Sequence, residues 1–272
     1  MTAHQLAGDR KALARQVIAV SGIRSRELVE PSLVAIYARP SGSDISVRQI
    51  GTGFLIAHDG RPVPVTAKHV LYGHRYDEDP WTKHAVFNGL LRGLFELRST
   101  EIFQDLNNDL AAVHVDEFGL DRCLPASCLS RETTCELILL HGYLSRRFRR
   151  SLKRGELWVQ PNIYVNRRIA HGPGYTGILY PKSKNRDTRT GRIVHASRPV
   201  GMSGCPMLDA VKLGMGQVSI VGVFTDYLPT TGRAFGESAP KVTALLEQMR
   251  SRETSDPSIK PARSIADNDT RL

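Results

Sequence analysis

Ser203 is the residue whose surroundings most directly suggest chemistry. It lies in the segment Gly201-Met-Ser-Gly-Cys-Pro, with one glycine directly after it and another two residues before it. Because glycine tolerates positive φ, such a segment can form a tight turn in which successive backbone N–H groups converge. A turn of this kind presents a hydroxyl beside a pocket that can bind an oxyanion. Glycine–serine turns are also common in ordinary loops, so this segment alone does not define an active site.

Two further residues could take part in acid–base chemistry. His69 follows the segment Val65-Thr-Ala-Lys, and the pattern predicts a histidine at the end of a strand, on the rim of a sheet. Asp109 opens the apolar segment Leu110-Ala-Ala-Val, where a carboxylate is costly to bury unless a partner satisfies it. Taken singly, a surface histidine and a turn-capping aspartate are the simpler interpretations.

Taken together, the three segments resemble the trypsin-like (chymotrypsin-fold) serine peptidases, especially their bacterial intracellular and HtrA-like branches. The resemblance rests on GTGF with VTAKH, then NDLAAV, then GMSGCP, in the chain order His, Asp, Ser. It covers roughly residues 30 to 235. The residues after Arg250 are too few for an appended PDZ domain, so none is expected.

The resemblance implies a role for each of these residues. Ser203 would attack the scissile carbonyl, His69 would accept its proton and later protonate the leaving amine, and Asp109 would orient the imidazole. The backbone N–H groups of Gly201 and Ser203 would form the oxyanion hole. Thr225 aligns with the family's hydroxyl residue beside the catalytic carboxylate.

The same resemblance suggests where the substrate would bind. Ser197, six residues before the expected nucleophile, stands where relatives that cleave after Arg or Lys carry an aspartate. Without that carboxylate a basic side chain would lack a charged partner, which favours a small or medium apolar residue before the cleaved bond. Asp226, in the expected pocket wall, could supply a carboxylate and overturn that preference. Thr225, Asp226 and Tyr227 complete the expected substrate-binding residues.

Two residues of the nucleophile segment depart from the family pattern. Secreted digestive members carry an aspartate at the position of Met202, and a newly cut N-terminus pairs with it on activation; Met202 offers no such acceptor. HtrA-like relatives also lack that aspartate. We therefore expect a non-covalent restraint, either disorder of residues 201–205 or a partner that reshapes the cleft. Cys205 replaces a glycine, and its side chain could crowd the turn.

The charge of the chain leaves a second function open. The 37 Lys and Arg residues exceed the 27 Asp and Glu residues, for a formal net charge of +10. Basic residues concentrate in the expected loops 146–154 and 182–192, which could dock a regulatory protein or nucleic acid, although charge runs are usually only solvated. The alternative function is therefore an inactive peptidase fold that binds an acidic protein or nucleic acid. The α/β-hydrolases are excluded, because their order is Ser, acid, His.

Short strand-like segments separated by turn residues predict an all-β fold. With the resemblance, this becomes two six-stranded antiparallel β-barrels, chymotrypsin-like, with a short N-terminal helix at 8–21 and a C-terminal helix.

The expected divisions of the chain are a helical extension at 1–29, a first barrel at 30–122, a second barrel at 123–236, a helix at 237–250 and a disordered tail at 251–272. The apolar helix faces are expected at Leu13, Val17 and Ile18, and at Val242, Leu245, Leu246 and Met249. The predicted strands are 33–38, 45–56, 62–66, 84–87, 93–97, 110–115, 136–141, 156–165, 177–180, 192–196, 206–208 and 218–225.

Composition narrows the remaining possibilities. With 41% hydrophobic and 24% charged residues, the chain is not intrinsically disordered. Its four cysteines match no standard zinc spacing and are too few for a disulfide framework, so no metal and no cofactor is expected. No apolar run reaches the length of a membrane span, and no signal-type block is present, so no membrane is expected and the expected location is the cytoplasm.

Overall fold

Antiparallel strand pairs form both halves of the chain. The structure is a computed structural model. It describes residues 3–40, 48–73, 81–87, 95–97, 102–113, 115, 118–132, 134–147, 149–151, 156–158, 161–183, 185–186 and 192–255.

Eight strands from the N-terminal half form one sheet. They are β1 (Leu33–Pro40), β2 (Arg48–His58), β3 (Arg61–Thr66), β4 (Trp81–Phe87), β5 (Phe95–Leu97), β6 (Ile102–Gln104), β7 (Ala111–Val113) and β8 (Leu124–Pro125). The antiparallel order is β5-β4-β1-β2-β3-β7-β6, and β8 pairs with β2 in parallel. Asp59 and Gly60 join β2 to β3 and both have positive φ, as a two-residue hairpin turn requires. Strand β3 ends at Thr66, three residues before His69, so its place in the sheet fixes where His69 lies.

Ten strands follow in the C-terminal half. They are β9 (Leu137–Tyr143), β10 (Arg149–Ser151), β11 (Glu156–Trp158), β12 (Pro161–Ile169), β13 (Tyr175–Leu179), β14 (Asn185–Arg186), β15 (Ile193–Val194), β16 (Pro206–Asp209), β17 (Ile220–Leu228) and β18 (Arg233–Ser238). Six of them close into a barrel in the order β12-β13-β18-β17-β16-β9, and β9 pairs with β12 to complete the ring. The pairs β10–β11 and β14–β15 are separate two-stranded ribbons.

The predicted all-β fold class is confirmed, with differences at particular strands. The second half holds the expected six-stranded barrel, whereas the first half pairs eight described strands. Strands β6 and β8 escaped prediction because two or three residues are too few to show an alternating pattern. Strand β18 also escaped, because Gly236 interrupts its apolar pattern. That glycine is needed, since a methyl group there would lie 2.5 Å from Met207 Sδ.

Helices lie at both ends of the described chain and at two short insertions. They are α1 (Ala3–Leu28), α2 (Lys68–Tyr72), α3 (Ala210–Gly214) and α4 (Ala239–Ser255). Helix α1 is longer than the predicted 8–21, because its contacts with α3 and β9 outweigh the low helix propensity of Gly22. Leu13 is 62% exposed, so its place on the expected apolar face is wrong, whereas Val17 and Ile18 are half-buried. Among the described helices, none is both long enough and apolar enough to cross a membrane.

The C-terminal helix differs from its prediction at both ends. The four expected face residues of α4 are buried, which confirms the helical pattern. The helix begins at Ala239, because Glu237 and Ser238 still belong to β18. It ends at Ser255, so residues 251–255 are helical and not part of a disordered tail. Residues 256–272 of that expected tail lie outside the described residues.

A fully buried histidine joins the N-terminal helix to the barrel. His141 of β9 is 0% exposed, and its Nδ1 lies 2.7 Å from the hydroxyl of Ser25 in α1. Its Nε2 lies 3.5 Å from a carboxylate oxygen of Glu30. Burial lowers the pKa of His141 from its ordinary value of 6.5, and nearby Arg26 adds to the effect, while Glu30 opposes it. His141 is therefore held in its neutral form in the folded chain.

We expect this histidine to make the fold sensitive to acid. Below pH 6.5 the unfolded chain binds a proton that His141 resists in the folded chain, so the free energy of unfolding falls as the pH falls. The loss reaches at most about 1.4 kcal/mol per pH unit. Denaturant unfolding of the parent and of His141→Gln between pH 7 and pH 5 checks this, because glutamine does not titrate. Equal pH slopes for the two proteins would contradict it.

Candidate active site

His69 and Asp109 form a close pair at the end of the first sheet. His69 was expected at a strand end; the chain instead leaves β3 through Ala67 and places it in the first turn of α2. Its Nδ1–H donates to Asp109 Oδ2 at 2.6 Å, and its backbone N–H donates to Asp109 Oδ1 at 2.9 Å. Both carboxylate oxygens therefore serve to orient one histidine. The imidazole keeps only a small exposed fraction, 10%.

The pair is arranged so that the aspartate stays ionised. Burial raises the pKa of Asp109, but the hydrogen bonds and charge of His69, with the charge of Lys68, outweigh burial and lower the pKa overall. An ionised carboxylate at this position stabilises a proton gained by the imidazole. The pair can therefore act as a general base with a fixed Nδ1–H.

The loop before Asp109 is held by its own buried aspartate. Asp105 is 6% exposed, and its Oδ1 accepts the backbone N–H groups of Asn107 and Asn108 at 2.8 and 3.1 Å. The buried ammonium of Lys68 donates to the carbonyl of Asp105 at 2.7 Å. Since Lys68 directly precedes His69, one segment both orients the histidine and anchors the loop that carries its partner.

Glu237 supports the same aspartate from the barrel, and sequence reasoning missed it. Its side chain is buried, and Oε1 accepts the backbone N–H of Asp109 at 3.1 Å. Its Oε2 pairs with the ammonium of Lys241, in α4, at 2.6 Å. A lone acidic residue among the apolar residues of β18 is the one signal that could have identified it, because a carboxylate there needs partners. Asp109 is thus held from both halves of the chain.

Ser203 is the second residue of a tight turn at 202–205, which directly follows another at 199–202. Met202 N–H donates to Pro199 O at 3.0 Å, and Cys205 N–H donates to Met202 O at 2.9 Å. The third residue of each turn is a glycine with positive φ, 91° at Gly201 and 88° at Gly204. The predicted tight turn is therefore present. Ser203 Oγ is half-buried and donates to Thr225 O at 3.3 Å.

The serine turn packs against the segment that leads to His69. Thr52 N–H donates to Ser203 O at 2.8 Å, and Thr66 Oγ1 donates to Thr52 O at 2.7 Å. A methyl group at Gly204 would lie 2.9 Å from the backbone nitrogen of Ala67. The structure therefore brings the turn from the second half against the end of β3, immediately before the histidine. A hydrogen bond between Ser203 and His69 stays a prediction.

The expected oxyanion-hole donors are free. Among the described residues, no acceptor takes the backbone N–H of Gly201 or that of Ser203. The N–H of Gly201 belongs to the first of the two turns, and that of Ser203 belongs to the second, which carries the Ser203 hydroxyl. Two free donors at such a place can stabilise an oxyanion that forms on the carbon attacked by that hydroxyl.

Cys205 fits the turn without crowding it. Its side chain is fully buried and faces Gly142 of β9, where a methyl group would lie 2.6 Å from Cys205 Cβ. Space for the cysteine is therefore supplied by a glycine on the neighbouring strand. Burial raises the pKa of the Cys205 thiol, so it stays protonated and is no rival nucleophile.

Two of the four expected substrate-binding residues, Ser197 and Tyr227, contact a tyrosine that the sequence did not reveal. The hydroxyl of Tyr180 donates to the carbonyl of half-buried Ser197 at 2.9 Å, and its ring contacts that of Tyr227 edge-on at 5.2 Å. Asp226 is exposed. Thr225 is buried, and its hydroxyl donates to Phe235 O at 3.5 Å; no described contact joins it to Asp109, unlike the expectation.

The two basic loops are described only in part. Residues 148, 152–155, 184 and 187–191 lie outside the described residues. The described parts form the short ribbons β10–β11 and β14–β15. Docking of a regulatory protein or nucleic acid on these loops stays a prediction.

Comparison with known proteins gives the fold a name. No protein-family model and no curated protein matches the chain. A solved Glu endopeptidase aligns with a TM-score of 0.54 at 17% identity, over 84% of this chain and 94% of its own. A thermostable serine protease from an extremophilic microorganism aligns with a TM-score of 0.53 at 12% identity, over 82% of this chain and 98% of its own. The serine endoprotease from Yersinia pestis aligns with a TM-score of 0.48 at 16% identity, over 83% of this chain. The aligned region covers 65% of that protein's length. The chain has the chymotrypsin-like fold of serine proteases.

Proposed function

We propose that this chain is a serine endopeptidase that hydrolyses peptide bonds in protein substrates through an acyl-enzyme. One observation carries the proposal: a half-buried histidine–aspartate pair lies at the end of the first sheet, and the serine turn packs against the end of β3 just before that histidine. Among the described residues, no acceptor takes the two backbone N–H groups beside the serine. The pair supplies a base, the turn supplies a nucleophile, and the free donors supply a site for negative charge. The fold agrees with this function and does not by itself establish it.

The proposal assigns each step to a group. Ser203 Oγ attacks the carbonyl carbon of the scissile bond and passes its proton to His69 Nε2, while Nδ1–H stays hydrogen-bonded to Asp109. The carbonyl oxygen becomes an oxyanion between the N–H groups of Gly201 and Ser203. The C–N bond then breaks, and the imidazolium gives its proton to the leaving amine. Water, activated by the same imidazole, releases the acyl group from Ser203.

The surroundings of the site suggest the class of substrate. Ser197, Tyr180 and Tyr227 form a polar-edged aromatic wall. Asp226 is exposed, so the wall buries no carboxylate to pair with a basic side chain. The preferred residue before the cleaved bond is accordingly small or medium and apolar. The HtrA-like, intracellular branch, which rests on the sequence motifs, and a cytoplasmic location are further parts of this proposal.

A fluorophosphonate probe tests the function directly. Attack by Ser203 Oγ forms an O–P bond, breaks the P–F bond and releases fluoride, with the serine proton taken by His69. We expect stoichiometric labelling that peptide mapping assigns to Ser203. An unlabelled protein, or a label on another residue, would refute the proposed endopeptidase.

A further inference from the structure

The peptide units around Gly201 are held by uncharged groups from both halves of the chain. Gln49, in β2, is 2% exposed although its side chain is polar. It lies next to a bulge in β2. Ile36 and Tyr37 of β1 are consecutive, but their partners in β2 are Gly51 and Gln49, so one extra residue of β2 lies between the two pairs. The bulge directs the amide of Gln49 toward the serine turn.

Two donors converge on one carbonyl of that turn. Gln49 Nε2 donates to Gly201 O at 3.0 Å and to Gly51 O at 2.8 Å. Thr52 Oγ1 also donates to Gly201 O, at 2.8 Å, while it accepts the backbone N–H of Tyr143 at 3.0 Å. The carbonyl between Gly201 and Met202 is therefore fixed toward the first sheet.

Ser145 holds the preceding peptide unit. Its backbone N–H donates to Val200 O at 3.0 Å, and its hydroxyl donates to Gln49 O at 2.9 Å. In a planar trans peptide the N–H points opposite to the C=O. Fixing Val200 O therefore directs the N–H of Gly201 away from Ser145, which leaves it free to receive an oxyanion.

No ionic group takes part in this arrangement. Met202 is fully buried among apolar side chains. Its thioether offers no charge that a chain terminus could pair with. The groups that hold the turn are two hydroxyls, one amide and backbone atoms, and all of them belong to the chain as it is synthesised.

We propose, on the basis of the function proposed above, that Gln49, Thr52 and Ser145 are positioning residues that hold the oxyanion turn ready in the free chain. They take the place of the ionic activation switch that Met202 excludes. Neither cleavage of the chain nor a partner is required to shape the turn. Disorder of residues 201–205, one of the restraints expected from the sequence, is then not the resting state.

One unfavourable feature of Gln49, a buried acceptor without a described partner, agrees with a functional role for its amide. Its Oε1 is buried and has no hydrogen-bond partner among the described residues. An unpaired buried acceptor destabilises a fold, and an apolar side chain of similar size would remove it, which offsets the loss of the bonds that Nε2 donates. The amide is useful at this position only for the bonds that Nε2 donates. Gln49→Met should therefore separate stability from reactivity.

The test compares the rate of fluorophosphonate labelling across matched variants. Gln49→Met removes one donor to Gly201 O, and Thr52→Val removes the other. Gln217→Met, at an exposed position after α3, is the matched control for the chemical change. We expect the maximal labelling rate to fall about tenfold in each of the first two variants, the effect of one net hydrogen bond. The probe concentration at half-maximal rate should stay close to that of the parent in both variants, and so should the unfolding temperature of Gln49→Met. Thr52→Val also leaves the backbone N–H of Tyr143 without its acceptor, so this variant should unfold at a lower temperature.

Each result decides between explanations. A lower rate at unchanged half-saturation supports positioning, because a merely structural role would lower the labelled fraction instead. If Gln49→Met fails to fold, Thr52→Val gives the same comparison. Labelling of both variants at the rate of Gln217→Met would overturn the positioning proposal and leave the endopeptidase intact. A parent unlabelled at Ser203 would remove the proposed function and, with it, the positioning role.

Discussion

Ser203→Ala is expected to abolish peptide hydrolysis and leave the fold intact. The substitution removes only the hydroxyl, whose hydrogen bond to Thr225 O is long at 3.3 Å, so little stability should be lost. Without the nucleophile no acyl-enzyme forms, and turnover should fall by a factor on the order of 10⁶. Hydrolysis of a fluorescently labelled unfolded protein, with purified parent and variant, measures the effect.

A matched serine variant makes this result interpretable. Ser251→Ala alters an exposed serine of α4, far along the chain from the turn, and should cleave like the parent. Thermal unfolding of all three proteins shows whether the fold is kept. Cleavage by purified Ser203→Ala at the parent's rate would end the assignment of the nucleophile.

Asp109→Asn is expected to lower turnover by about 10⁴, the second largest effect. Asp109 accepts two hydrogen bonds from His69, one from the backbone N–H and one from Nδ1–H. Asparagine has only one acceptor oxygen and places an N–H₂ group at the other site. If the oxygen stays with the backbone, the amide faces Nδ1 as a donor and selects the tautomer that cannot accept the proton of Ser203.

Rates of hydrolysis and of fluorophosphonate labelling should fall together in this variant. Asp121→Asn, in an exposed turn, makes the same chemical change elsewhere and serves as its control. Because asparagine still fits the loop and accepts one bond, the unfolding temperature should change little. Turnover within tenfold of the parent would show that the His69–Asp109 pair is not part of the reaction.

Local sequence patterns predicted the parts of the site that depend on neighbouring residues. Glycine at 201 and 204 indicated a turn with positive φ on both sides of Ser203, and both angles are positive. The apolar spacing of α4 predicted its buried face. Resemblance to a family then predicted that His69, Asp109 and Ser203 would converge, although they lie far apart along the chain.

Some expectations failed because tertiary contacts outweighed a local signal. The N-terminal helix was predicted to end at residue 21, but packing of α1 against α3 and β9 carries it to Leu28. No strand was predicted at 233–238, because Gly236 offers no apolar side chain to the pattern, whereas it is a strand position at which no side chain fits. The hydroxyl of Thr225 was expected beside Asp109 and instead donates to Phe235 O.

By itself, the sequence determined the all-β class, the tight turn at Ser203, the closing helix and the three residue types of a catalytic site. Only the tertiary structure decided what supports them. Gln49 reaches Gly201 across 152 positions of sequence, and Glu237 reaches Asp109 across 128. The physical reason is that hydrophobic periodicity and turn chemistry report which face of an element is buried. Which donor meets which carbonyl depends on strand register and on a single bulge in β2, and these are set only when the two halves of the chain pack together.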